Sequence, residues 1–229
     1  MLALLDQLKI HEFYMLGVGG GAAYVLAGVW SVGRERLKGV SVVSGVYPGG
    51  CGMGFLRRSH VLSFVAPWTT GLGVMAVEGR MGRASRDPDP AVFERVLARE
   101  VDRLAPAEQL VLRDATHWPV VVAMTRESFH KGSEGACWEA RLQGDDWGFD
   151  LAHLKAGAHG VPLTLWHGAN DADCPAAMAS KAHDAIRGSV LRMQPGEGHV
   201  SYVFRDADAI LMHLLGEQEN DDEFIRVGY

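Results

Sequence analysis

An apolar run and a second short strand in the second half of the chain are each followed by side chains that can move a proton. Val161 to Trp166 (VPLTLW) leads into His167-Gly168-Ala169-Asn170-Asp171-Ala172-Asp173-Cys174-Pro175, and Val190 to Gln194 leads into Pro195-Gly196-Glu197-Gly198-His199. Short β-branched apolar runs predict buried parallel strands, so carboxylates and imidazoles collect just beyond strand ends, where proton-transfer groups are useful. Asp173 also suits a loop or capping role before the helix that follows Pro175, and His167 suits a structural role at its strand end. Upstream, Glu12 to Tyr24 (EFYMLGVGGGAAY) reads as a strand, a glycine turn and a helix. The Gly20 amide would sit at the helix N-terminus, where partial positive charge favours a developing anion.

The strand, turn and helix resemble the nucleophile elbow of serine hydrolases, in which G-x-S-x-G lifts a side-chain oxygen above the sheet. Here Gly17-Val18-Gly19-Gly20-Gly21 puts glycine at the middle position. The order elbow, acid, histidine is that of the α/β-hydrolases, and on these segments the chain is similar to α/β-hydrolase fold proteins. The resemblance matches Asp171 to the triad acid, His199 to the triad histidine and Gly19 to a lost serine. Trp147 to Leu151 (WGFDL) resembles the return from cap to core in that superfamily. The implied fold class is α/β: a parallel sheet with flanking helices, a truncated α/β-hydrolase fold with a helical cap insertion. In the family several strands precede the elbow, and a loop among them supplies an oxyanion-hole amide. Here the elbow strand lies one helix from Met1, so it is expected at a sheet edge whose unpaired backbone groups invite a second copy of the chain. A homodimer through that edge is the expected assembly, with a cap helix covering the strand as the other way of satisfying it.

Without its serine such a site is a poor esterase. Removing the catalytic serine of subtilisin costs on the order of 10⁶ in rate, and removing one oxyanion donor costs roughly 10²–10³. An imidazole whose tautomer is fixed by a carboxylate can instead activate water, or a hydroxyl of the substrate, directly. A gap left by serine needs room for only about one water, ~30 Å³ of liquid volume. Epoxide opening suits this machinery, by hydrolysis or by cyclisation to an ether, because the strained ring reacts in one displacement and the alkoxide needs a single proton donor. Tyr47, His60, Asp114 and His117 are candidate donors near the cap entrance. Tyr47, His117 and Trp147 are candidate substrate-pocket residues, and Trp68, Trp118, Trp138 and Trp147 together suggest an apolar pocket under the cap. The substrate would then be a lipophilic small molecule such as a natural-product epoxide.

These residues need a scaffold, and the spacing of apolar residues supplies one. Leu2 to Lys9 reads as a helix, Glu12 to Val18 as a strand, Gly20 to Val32 as a helix and Lys38 to Val46 as a strand, a βαβ unit. From Pro48 to Ala158 the spacing is helical, most clearly over Pro90 to Leu104, Pro106 to Asp114 and Val120 to Phe129. Core strands resume at Val161 and Val190, and Ala207 to Leu215 closes the fold as a helix. Residues 1–50 and 156–229 therefore form the hydrolase-like core, and residues 51–155 the inserted cap. The acidic stretch Glu217 to Glu223 reads as a solvated end.

Composition bounds the alternatives. The 229 residues, 48% of them hydrophobic, suit one globular domain, and a net charge of −6 argues against a nucleic-acid partner. The sequence has no stretch long enough for a transmembrane span, and its N-terminus lacks a basic leader and cleavage site, so a cytoplasmic location is expected with no membrane partner. The cysteines, Cys51, Cys137 and Cys174, are odd in number and widely spaced, which fits reduced thiols. No cofactor and no metal are implied. Two other readings stay open. One is a catalytically dead, hydrolase-derived protein that binds a ligand in the cap pocket, with Gly19 kept for its tolerance of the elbow backbone. The other is dinucleotide binding, because Gly17 to Ala22 also satisfies G-x-G-x-x-A, although the next strand ends in Val43-Ser44-Gly45 without the acidic residue that would hold a ribose.

Overall fold

Four strands, β1 (Phe13–Val18), β2 (Leu37–Val43), β3 (Leu163–Gly168) and β4 (Val190–Gln194), lie side by side in that order, and every neighbouring pair is parallel. The structure is a computed structural model that describes residues 1–48, 51 and 78–216. Helix α1 (Leu2–Gln7) precedes β1, and α2 (Ala22–Ser31) links β1 to β2. Between β2 and β3 come α3 (Pro90–Val101), α4 (Pro106–Leu112), α5 (Trp118–Ser128) and α6 (Glu134–Gly144). Helix α7 (Ala176–Ala185) joins β3 to β4, and α8 (Ala207–Leu215) follows β4.

Side-chain alternation along the central strands divides the core in two. Val40 and Val42 of β2 and Leu163 and Leu165 of β3 pack with α2 and α7 through Val25, Leu26, Met178 and Ala182. Val43 and Trp166, from the alternate positions, pack with Tyr202 and with Ile210 of α8 on the other face. Because both faces are covered, β3 is buried at every position, and its sequence therefore reads as an unbroken apolar run. Burying each such Val or Leu side chain contributes about 1.5–3 kcal/mol.

The inserted helices have a core of their own. Asp89 caps α3 by accepting the Ala91 amide at 3.0 Å, Pro90 takes the first helical position, and Phe93, Leu97 and Val101 then recur on one face. They pack with Leu112 and Val121, and Val200 and Phe204 from beyond β4 join the same cluster. The insertion is thus anchored to the segment that carries His199.

Several expected boundaries move. Strand β2 ends at Val43 rather than Val46, because Ser44 turns the chain with a φ of 48° and the Val46 amide pairs with Gly19 O at 3.1 Å. The helix expected from Gly20 begins at Ala22, after a 3₁₀ turn over Gly19–Gly21. Helix α6 falls in the stretch expected to be helical but not among its clearest segments, since its glycines and scattered charges blur the apolar period. Strand β1 lies at one edge of the sheet formed by the described strands, as expected, with Tyr14, Leu16 and Val18 exposed, and α1 buries no residue. No described helix is long and apolar enough to cross a membrane. Glu217 to Glu223 lie outside the described residues.

Candidate active site

The turn after β1 is built for close approach. Gly19 has a φ of 55°, a left-handed conformation that costs other residues about 1–2 kcal/mol. A β-carbon on Gly17 would lie 2.6 Å from the Gly21 carbonyl, so the turn folds back on its own strand. At Gly20 a β-carbon would collide with the side-chain amide of Gln143, which α6 holds against the turn.

The acid and the histidine arrive from β3 and β4. The Ala169 amide donates to Gln194 O at 2.9 Å and the Asn170 amide to Glu197 O at 2.8 Å, locking the two loops together. Buried Asp171 accepts the Asp173 amide at 2.9 Å and the Cys174 amide at 2.8 Å on Oδ1. Its Oδ2 lies 2.8 Å from His199 Nδ1. An ionised carboxylate only accepts, so Nδ1 carries the proton and Nε2 is left as the basic atom. A β-carbon built on Gly19 would stand 3.6 Å from that Nε2. The imidazole therefore points at the place where an elbow side chain would be, with its ring 22% exposed.

Burial opposes charging His199 and is the largest single influence on it. Hydrogen bonds and charge from Asp171, together with the Cys174 thiol, outweigh burial and hold the imidazole well above its ordinary value. His167 goes the other way: burial lowers its pKa despite a 2.6 Å contact of Nε2 with Cys174 O. It stands 3.3 Å from Asp171 Oδ2 and is fully buried, a neutral brace behind the carboxylate.

Three supporting residues were not foreseen. Ser44 donates its hydroxyl to His199 O at 2.5 Å and lies 2.9 Å from the Tyr202 hydroxyl. Buried Glu108, on α4, accepts the Val200 amide with both carboxylate oxygens, at 3.1 and 2.9 Å. Gln143 packs on Gly20 as described. The only hint of Ser44 in the sequence was a polar residue ending an apolar strand, and nothing near Glu108 or Gln143 pointed to the site.

Gly19, Gly20, Asp171 and His199 thus lie together, and the other named residues scatter. Tyr47 is not at a cap entrance: it belongs to the main core and is 1% exposed, its hydroxyl has no hydrogen-bond partner among the described residues, and burial pushes its phenol far up. His117 is held within the insertion, with Nδ1 3.0 Å from Val111 O and its ring stacked on Phe204 at 5.0 Å. Asp114 accepts the Thr116 amide at 2.8 Å. Trp147 donates to Gln143 O at 3.1 Å and packs on the main core. Trp118 packs on the insertion core and donates to Glu94 at 2.7 Å, whereas Trp138 is 46% exposed. These three indoles have separate partners and do not form one pocket. His60 and Trp68 lie outside the described residues. Asp173 is in the loop, with Pro175 rather than Asp173 at the N-cap of α7.

No protein-family model and no curated protein matches the sequence. Solved structures do. MGS-M2, an α/β hydrolase enzyme from a Medee basin deep-sea metagenome library, superposes with a TM-score of 0.59 at 15% identity over 96% of this chain and 70% of its own. A hydrolase from Pseudomonas aeruginosa PA01 gives 0.55 at 16% identity over 94% of this chain and 69% of its own. Est816, described as an N-acyl homoserine lactone degrading enzyme, gives 0.55 at 17% identity over 94% and 71%. By this likeness the chain has the α/β-hydrolase fold.

Proposed function

We propose that this chain is a hydrolase-like enzyme that works without a covalent nucleophile, His199 taking a proton from water or from a substrate hydroxyl held over Gly19. One observation carries the reading: Nε2 of His199 stands 3.6 Å from the β-carbon position of Gly19, while Nδ1 is held 2.8 Å from Asp171. Epoxide opening is the reaction that suits this geometry. The attacking oxygen forms a bond to a ring carbon as the ring C–O bond breaks, and its proton passes to Nε2. The imidazolium then returns a proton to the new alkoxide, so that water adds overall, or an internal hydroxyl closes a cyclic ether. The high proton affinity of His199 favours the imidazolium in that second role. The Gly20 amide adds partial positive charge near the developing anion. The substrate is a lipophilic small molecule of natural-product type. The hydrolase neighbours support hydrolytic chemistry in general.

Turnover of an epoxide panel in ¹⁸O-water tests the reading. Solvent oxygen enters the diol, or a cyclic ether forms without label, and His199→Ala abolishes both in a folded protein. Full activity of His199→Ala would refute the proposal. A second reading, a hydrolase-derived binding protein, draws on Gln143, whose amide occupies space against Gly20. Ligand retained unchanged by the wild-type protein would favour it.

For assembly we propose pairing of two copies along β1, supported by the exposed Tyr14, Leu16 and Val18 on this edge of the described sheet and by α1, none of whose residues is buried. Light scattering should report a dimer that Leu16→Lys converts to monomer. A wild-type monomer at micromolar concentration would rule it out.

A further inference from the structure

Glu108 is a buried carboxylate that general-base chemistry at His199 does not use. It sits in the first turn of α4, 5% exposed, and both of its oxygens reach the Val200 amide, at 3.1 and 2.9 Å. At the residue before His199, Gly198 leaves the carboxylate the space it occupies, since a β-carbon there would collide with it. The backbone on both sides of His199 is therefore in contact with one side chain from the inserted helices. Resting on the function proposed above, we propose that Glu108 is a positioning residue for His199, a carboxylate through which the inserted helices fix the aim and the charge of the base.

A buried carboxylate is a costly way to hold a loop, because desolvation alone opposes its charge. Burial raises the pKa of Glu108, against the pull of the Val200 amide and of His199, and Asp171 adds to the rise. The groups facing His199 come from several elements. Asp171 and Cys174 come from the loop after β3, His167 from the end of β3, and Glu108 from α4. On the histidine segment itself, Glu197 is engaged by Ser201 at 2.5 Å and by Arg205 at 2.6 Å, while Asp171 is hydrogen-bonded to the ring and His199 in turn pulls the pKa of Glu108 down. Packing runs along the same line, because Val200 and Phe204 share the core of the insertion and His117 stacks on Phe204 at 5.0 Å. A shift of α4 therefore moves the backbone of the base as well as its electrostatic surroundings.

The test reads the imidazole directly. In protein carrying ¹⁵N-labelled histidine, with the His199 signal assigned by its loss in His199→Asn, the ring of Glu108→Gln should titrate at lower pH than in wild type. The glutamine carbonyl still accepts the Val200 amide, so the loop stays in place while the charge is gone. In Glu108→Ala the Val200 amide should exchange with solvent about tenfold faster, and kcat should fall by on the order of 10²-fold with little change in KM, as expected for a displaced base. An unchanged His199 titration in Glu108→Gln would overturn the proposal, even if activity were lost, because the carboxylate would then act through the fold alone. If Glu108→Ala does not fold, the glutamine variant decides. The titration needs no substrate, so a wild-type protein inactive on epoxides would count against the proposed reaction and leave this inference standing.

Discussion

The two halves of the candidate site are held in very different ways. The histidine half is fixed by side chains: Asp171 on Nδ1, Ser44 on the His199 carbonyl and Glu108 on the Val200 amide, from three separate elements. The elbow half is fixed by backbone, through the left-handed Gly19, the Val46 amide on Gly19 O and the close return of Gly21 over Gly17. An imidazole so constrained keeps its direction whether or not a nucleophile stands before it. On the function proposed above, that constraint is what lets His199 serve as a base over a bare glycine.

Breaking the histidine half should give the largest effect. Asp171→Asn should lower turnover by on the order of 10⁴, as when a triad carboxylate loses its charge and the imidazole its tautomer. The wild-type acid limb follows from the raised His199 pKa: the neutral ring is the base, so turnover should fall as pH drops through a value above the ordinary 6.5. The linked stability has the opposite sense. A raised folded pKa contributes stability that is fully present below the unfolded value of about 6.5 and is lost as pH rises through the folded one, so the Tm difference between wild type and Asp171→Asn should shrink over that range. A pH–rate profile with its midpoint below 6.5 would contradict the account.

Next in size is Ser44→Ala, which leaves the His199 carbonyl without its hydroxyl donor. The loss should be about 1–3 kcal/mol of stability by urea unfolding, together with reduced turnover; a change below about 0.5 kcal/mol would show that the hydroxyl is not needed. The smallest effect should come from the elbow half. Gly19→Ser places a side chain at φ 55° and should cost about 1–2 kcal/mol of stability. The new hydroxyl, within reach of His199, should react slowly with a fluorophosphonate, detected by intact mass. Efficient ester hydrolysis by this variant would show that the elbow half is more complete than a bare turn.

The parts of the site that were legible in the sequence are those with local signatures. A strand running into glycines and then a helix marked the elbow, and apolar runs ending in GAND and GEGH marked Asp171 and His199. The supporting residues have no such mark, because each works across a long separation: Ser44 meets His199 across 155 positions and Glu108 meets Val200 across 92. Tyr47 was misplaced for the same reason in reverse, since a tyrosine after a strand looks available until the α2 and α7 layers close over it.

Hydrophobic period and glycine placement, both properties of a few consecutive residues, were enough for the sequence to determine the parallel α/β class, several helices between β2 and β3 and the glycine turn after β1. Tertiary structure alone decided that Nε2 of His199 stands 3.6 Å from the β-carbon position of Gly19, that Tyr47 is closed into the core and that the helices between β2 and β3 reach the histidine loop through Glu108. Those facts depend on which strands lie side by side and how helices pack across them, and the energies that settle both arise between residues too far apart in sequence to leave a local pattern.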